Sequence, residues 1–206
     1  LDEFSPTDFR YAVCDLKPYL TEEAFIRYKA RVESALAKVL ARHRICSHGV
    51  AQEIIKSANS IIPGDVYREE ERIHHDIRAL VNVIRNRVSD RAKPFVHLAA
   101  TSYDIVDTAN SLLFKEATEN VLMPDMLKLE KIWIDMAVRE KRTLQIGRTH
   151  GQHAEPITFG FAIALYVHRW GERILKVRET TDNLRGKFSG AVGAYNATSL
   201  FFDDPE

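Results

Sequence analysis

Cysteine is nearly absent from this sequence. Cys14 and Cys46 are its two thiols, too few for a disulfide framework and suited to a reducing cytosol. A net charge is absent too: Lys plus Arg number 29 and Asp plus Glu number 29, so the totals announce no basic face for nucleic acid. No apolar run reaches the roughly 18 residues of a membrane span, the longest being Ile157 to Val167. No charged-then-apolar leader opens the chain, which begins at Leu1. These absences lead to the expectation of a trimmed, cytoplasmic protein with neither a membrane nor a nucleic-acid partner.

Glycine and proline are also sparse, nine and seven in 206 residues, and helical periodicity fills the stretches they leave. Thr21 is placed to cap a helix to about Arg42, with Phe25, Tyr28, Val32, Leu36 and Val39 at three- and four-residue steps. Ser47 is placed to cap a second through Ala58. Pro63 suits the first turn of a third, charged helix reaching about Ser89, striped by Ile73, Ile77, Leu80, Val81 and Ile84. From Asp104 to Arg139 the stripe is Ile105, Ala109, Leu112, Leu113, Leu122, Leu129, Trp133 and Met136, with a kink or two abutting helices expected at Pro124. Residues 143–154 lose the period and read as a loop with a short strand. Pro156 then opens a last helix to about Leu184, and Gly186 to Ala197 reads as an irregular connection. No strand alternation is sustained, so the class is all-α. Phe201 and Phe202 follow with no closing helix, which suggests truncation at Glu206.

Four segments carry groups that could do chemistry. In the first, His74, His75 and Asp76 follow Glu70, Glu71 and Arg72 on the third helix. Helical neighbours point about 100° apart, so the two histidines cannot face one ligand together. A solvated charged helix with one histidine packed at its edge is the plainer reading of the run. In the second, His97 precedes Thr101, Ser102, Tyr103 and Asp104. Thr101 and Asp104 have capping-box spacing, which leaves His97 and Ser102 unexplained. A helix start also favours an anion, because its N–H groups are free and its dipole is positive there.

The third segment, Gly147 to Pro156, holds Arg148, Thr149, His150, Gln152 and His153 in an irregular loop, a usual place for catalytic groups. Histidine suits proton transfer near neutral pH. A polar turn before a helix, with Glu155 and Pro156 at its start, explains the segment equally well. The fourth, Gly186 to Gly193, is glycine-rich but fits neither the Walker nor the dinucleotide pattern. His43, His48 and His168 read as structural or surface residues.

Taken in order, these segments resemble the fumarase/aspartase superfamily and, within it, the adenylosuccinate lyase family. The matching stretches are SPTDFRY, HHDIRAL, HLAATSYDIVDTA, GRTHGQHAEPITFG and GKFSGAVGAYNA, spanning residues 5–198. Phe9 stands where many members have glycine, and Tyr103 replaces a common serine. The resemblance implies an amino-terminal helical domain over 1–103, followed over 104–206 by the start of a central helical bundle. It implies an anti β-elimination that releases fumarate from a purine nucleotide substrate, with no cofactor and no metal. His150 matches the general acid and His75 a catalytically important histidine. Arg10 and Tyr11 match nucleotide-binding positions, Thr101 and Ser102 binders of the succinyl carboxylates, and His74, Asp76 and His97 positions around the substrate. The family's base is a serine on a downstream mobile loop, so the fragment is expected to be inactive. A homo-oligomer, a tetramer for the complete enzyme, is implied as well.

Two other readings compete. A His-Asp metal-dependent phosphohydrolase could use His75, Asp76, Asp104 and either His43 or His48, since imidazole and carboxylate suit divalent transition metals. It leaves the third and fourth segments without a purpose. A helical oligomerisation module without activity is the other.

Overall fold

The computed structural model describes residues 10–204. Helix α1, Glu22–Arg42, starts where Thr21 turns extended and its hydroxyl accepts the Ala24 amide at 3.2 Å. Helix α2, His48–Asn59, is capped the same way by Ser47 on Val50. Both starts are those the sequence indicates.

The charged third helix is two helices instead. α3, Pro63–Ile73, ends at His74, whose φ of 55° lets its amide reach the Glu70 carbonyl at 2.7 Å. α4, Asp76–Arg85, begins with His75 as its cap, the ring Nδ1 accepting the Arg78 amide at 3.3 Å. Glu69 on α3 accepts from Asn82 on α4 at 2.7 Å. Hydrogen bonds from Arg72 and Asn82 hold its carboxyl at about 2. Neither glycine nor proline marks this break; an imidazole does.

Helix α5, Ser102–Ala117, passes through a π-helical stretch, Thr118–Leu122, into α6, Met123–Arg139. Pro124 lies in the first turn of α6, where it offers no N–H to the ladder, and the widened turn precedes it. That is the interruption expected there. The region 143–158 departs from the sequence reading: strands β1, Leu144–Thr149, and β2, Gln152–Thr158, form an antiparallel hairpin. Pro156 stands in β2 opposite Ile146 rather than opening a helix. A two-stranded ribbon has only edge strands, which tolerate proline. Helix α7, Phe159–Asp182, starts after Thr158, whose hydroxyl accepts the Phe161 amide. Beyond it the chain is irregular apart from a 3-10 turn, Thr198–Leu200. Apart from the ribbon, the class is all-α.

The chain divides into two compact units. One holds the described residues through Phe114 and again from Arg185; the other is Lys115–Leu184. The first has a closed core in which Leu40, Ile54, Ile77, Leu80, Ile84, Ile105 and Leu113 are fully buried. Each contributes on the order of 1.5–3 kcal/mol. Phe202, expected to lie uncovered, sets its ring edge-on to His43 at 5.0 Å between centroids, and only Phe201 stays exposed. The second unit joins α6 to α7 through Trp133 and Trp170, centroids 5.7 Å apart, and a 3.0 Å bond from the Trp170 ring N–H to the Met126 carbonyl. Among the described residues, no helix is long and apolar enough to cross a membrane.

Candidate active site

Among the described residues, six other than glycine take a left-handed backbone: Arg44, His74, His97, Ala99, His150 and Tyr195. Such conformations cost free energy and concentrate where function requires them. Five of these six fall in or beside the four chemical segments, three of them histidines. Local strain, which no sequence pattern announced, marks the same places as the polar residues.

In the first unit, the break between α3 and α4 meets the start of α5. His75 Nε2 lies 3.4 Å from Ser102 Oγ across 27 positions of sequence. Because His75 Nδ1 accepts the Arg78 amide, the proton of the neutral ring belongs on Nε2, which then donates to Ser102. Asp76 Oδ1 is 3.6 Å from His75 Nδ1, which gives the outline of a Ser-His-Asp triad. The chemistry of a triad is missing, however. A triad needs the Nδ1 proton on the aspartate side, and Nδ1 here is an acceptor. Asp76 turns instead to Lys29, whose Nζ donates to Oδ2 at 2.9 Å. Burial opposes its charge, but the Lys29 bond, the Ile77 amide and the Lys29 charge outweigh this and keep the carboxyl below its ordinary range.

Asp104 is the hub of the second and fourth segments. It is 0% exposed. Its Oδ2 accepts the Thr101 amide at 2.9 Å, one half of the capping box. Its Oδ1 accepts Lys187 Nζ at 2.6 Å and the amides of Ser189 and Gly190 at 3.1 Å each. Burial raises the cost of its charge, and these four donors more than offset it, leaving the carboxyl below its usual range. Thr108 Oγ1 accepts the Lys187 amide and donates to the Lys187 carbonyl, both at 2.9 Å. The glycine-rich loop therefore spends two amides and its lysine on a carboxylate of its own chain, which explains the motif without a phosphate. The same commitment weakens the phosphohydrolase reading, since Asp104 is saturated with donors. Among the described residues, no group of three or more His, Cys, Asp or Glu is placed to hold a metal ion.

His97 is tethered by its Nδ1 to Glu33 Oε1 at 2.6 Å. Sequence reasoning missed Glu33, although a signal existed. It falls on the buried stripe Ile26, Ala30, Ala37, Leu40 of α1, at a step where an apolar residue belongs. Asp104 and Lys187 were visible, but not as each other's partners.

His150 belongs to the second unit and sits at the tip of the β hairpin. Thr149 pairs with Gln152, so His150 and Gly151 are the two central residues, with φ of 53° and 72°. Positive φ at both is what a type I′ turn demands, and it matches the twist of the ribbon. His150 and His153 are both exposed, and His153 lies opposite Arg148 in the register. A bulge falls between Ile146 and Arg148, where a side chain at Gly147 would come 2.8 Å from the Glu155 carbonyl oxygen. Arg10 and exposed Tyr11 precede the first helical turn; residues 5–9 of the opening segment lie outside the described residues.

This helical frame is that of the fumarase/aspartase superfamily. A crystal structure of fumarate lyase from Mesorhizobium sp. BNC1 matches with a TM-score of 0.83 and 26% identity, covering 91% of this chain and 44% of that one. The family model described as lyase matches residues 9–201, and the chain belongs to that family. An adenylosuccinate lyase from Archaeoglobus fulgidus is 37% identical over 193 residues, covering 93% of this chain and 43% of its own length. One from Methanocaldococcus jannaschii is 35% identical over 196 residues, with 93% and 42% covered. The chain thus spans under half the length of these relatives.

Proposed function

We propose that this chain is the amino-terminal part of an adenylosuccinate lyase, which eliminates fumarate from adenylosuccinate to leave AMP, and acts likewise on the related succinyl-carboxamide purine intermediate. The observation that carries the reading is the meeting of His75 with Ser102 at the start of α5. That point joins hydrogen-bonding side chains to the free amides of a helix start, a setting that suits a carboxylate.

The elimination has three parts. A base removes the proton from the succinyl carbon next to a carboxylate, and the charge spreads into that carboxylate as an aci-carboxylate. The C–N bond then breaks as the C=C bond of fumarate forms, and an acid protonates the departing nitrogen. Thr101 and Ser102 hold the succinyl carboxylates, so the charge develops against donors already in place. His150 is the acid and its hairpin tip presents it to solvent and substrate. Arg10 and Tyr11 bind the nucleotide, while His74, His75, Asp76 and His97 surround the substrate. The base is a serine contributed by the remainder of the enzyme. No cofactor or metal takes part, the assembly is a homotetramer, and the setting is the cytoplasm. The division into a domain over 1–103 and a bundle from 104 belongs to this same proposal.

Fumarate release tests it. The complete enzyme is expected to release fumarate from adenylosuccinate, and the 206-residue chain alone to release none at an enzymatic rate. Normal turnover by the isolated chain would overturn the division of the site. Release from another succinyl compound but not from adenylosuccinate would overturn the substrate.

A further inference from the structure

Glu33 is a carboxylate where the packing asks for a hydrocarbon. It is 1% exposed, in the middle of α1, with Val32 and Leu36 buried on either side. A buried carboxylate is costly unless it is paired. Its Oε1 meets His97 Nδ1 at 2.6 Å, and its Oε2 has no hydrogen-bond partner among the described residues. One strong bond thus holds a group with about four lone-pair sites to satisfy. Replacing a whole buried ionic pair by hydrocarbon of similar volume is often neutral or stabilising, so folding alone does not call for a Glu33–His97 pair.

His97 is unusual at its own end. Its φ is 64° and that of Ala99 is 62°, so the turn before α5 is held in a conformation these residues disfavour. The ring is mostly covered, with the side chain 16% exposed. A carboxylate at Nδ1 fixes both the plane of the ring and the position of its proton, as carboxylates do for histidines that ligate metals or serve catalysis.

We propose that Glu33 is a positioning residue for the lyase reaction: it holds His97 in the Nδ1-protonated form, so that Nε2 is the ring nitrogen offered to the substrate. The inference rests on the reading above that His97 borders the substrate. The Nδ1 proton points into the protein and stays there whether the ring is neutral or cationic. In the neutral ring, Nε2 then accepts a hydrogen bond from a substrate N–H or O–H. Without Glu33 the ring is free to turn and to take the opposite tautomer, which presents a donor where an acceptor is wanted.

Two measurements test this. Long-range proton–nitrogen NMR of the 206-residue chain, with labelled histidine, reports which ring nitrogen of His97 is protonated. Nδ1–H is expected in the unchanged chain and in Glu33→Gln, whose amide oxygen still accepts. Glu33→Leu is expected to lose the preference and to melt lower, because it leaves the covered His97 ring without its partner. In the complete enzyme, Glu33→Leu is expected to raise KM by about tenfold or more, the scale of a lost hydrogen bond to a charged group, with kcat changed far less. Glu33→Gln is expected to recover most of that loss. An Nε2–H tautomer in the unchanged chain would overturn the proposal, as would a Glu33→Leu enzyme with normal KM. If Glu33→Leu fails to fold, the unchanged chain and Glu33→Gln still decide the tautomer. A complete enzyme inactive on adenylosuccinate would sink the substrate reading and leave the tautomer result standing.

Discussion

The two units differ in what they do with their apolar surface. In the first, α1, α2, α4 and the start of α5 turn their stripes onto one core, and even Phe188 and Phe202 pack half-buried against it. In the second, Met126 and Ile174 are among the few large residues that are buried. Ile132, Val138 and Leu175 stay 57%, 60% and 62% exposed on helices whose sequence is no less apolar. A single helix pair cannot cover the broad stripes it carries, and apolar surface of that extent marks an interaction site. The polar chemistry follows the same division. The first unit fixes its groups through buried ties such as Asp104–Lys187 and Glu33–His97, whereas the second displays His150 on an exposed turn. The first unit reads as a closed scaffold, the second as a helix pair with much of its apolar surface uncovered.

The largest effect that would break this comparison is catalytic. In the complete enzyme, His150→Ala is expected to lower turnover by about two to four orders of magnitude, the usual scale for a general acid or base. KM should change much less, because the residues proposed to bind, Arg10, Tyr11, Thr101 and Ser102, lie in the first unit. Near-normal turnover from a folded variant would remove the second unit from the chemistry.

Next is the hub of the first unit. Asp104→Ala leaves three amides without their acceptor and Lys187 with only the Gly190 carbonyl and no counter-charge, at a cost of about 3–5 kcal/mol for a broken buried pair. Denaturant unfolding should show it in the first unit. Because the folded Asp104 carboxyl lies below its unfolded value, its stabilisation is present above about pH 4 and disappears as pH falls through the folded value. Acid should therefore weaken the unchanged protein more than Asp104→Ala, and equal acid sensitivity of the two would contradict the hub.

The exposed stripes of the second unit give the third test. The chain should self-associate, and charges at Ile132 and Leu175 should weaken association about tenfold or more, as loss of an apolar anchor does. Light scattering reads the mass; a monomer at high concentration before substitution would mean that the second unit closes its core unaided. A smaller effect is packing within that unit. At Gly160, a side chain would meet the Ala137 carbonyl, and would lie 2.7 Å from the Lys141 backbone. Gly160→Ala should cost about 1–3 kcal/mol by overpacking, with faster amide exchange confined to residues 115–184.

Much of this was legible in sequence because it depends on local rules. Thr21, Ser47 and Thr101 start helices by side-chain and backbone bonds within three residues, and the periodicity of α4 names Ile77, Leu80, Val81 and Ile84 of its buried face; on α1 it names Tyr28, Val32 and Leu36 but misses the small residues beside them, and Val39 is exposed. What was not legible depends on distance or on backbone conformation. His74 and His75 interrupt a helix with neither glycine nor proline, because an αL turn and an imidazole cap take their place. The hairpin escaped notice because its strands are exposed on both faces and carry no alternation, leaving His150–Gly151 as the one turn signal. The partnership of Asp104 with Lys187 closes 83 positions of chain, beyond any local pattern.

The smallest expected effect concerns Tyr67, which sharpens the picture of the first unit as a closed scaffold. Its hydroxyl donates to Glu22 Oε2 at 3.2 Å, tying α3 to the first turn of α1. Burial, then the charge of Glu22 and the bond to it, push the phenol up to about 12. An unfolded tyrosine ionises near pH 10, roughly two units lower. The folded state therefore keeps its proton where the unfolded state has lost it. Stability is unaffected below about pH 10 and declines as pH rises from there through about 12. Tyr67→Phe removes one hydrogen bond to a carboxylate, worth about 1 kcal/mol near neutral pH, and removes this alkaline dependence with it. Spectrophotometric titration of the folded chain should show a phenol ionising near pH 12 that Tyr67→Phe lacks. If that variant instead removes a phenol titrating near 10, α3 does not close on α1 as described, and the first unit is looser than its core implies.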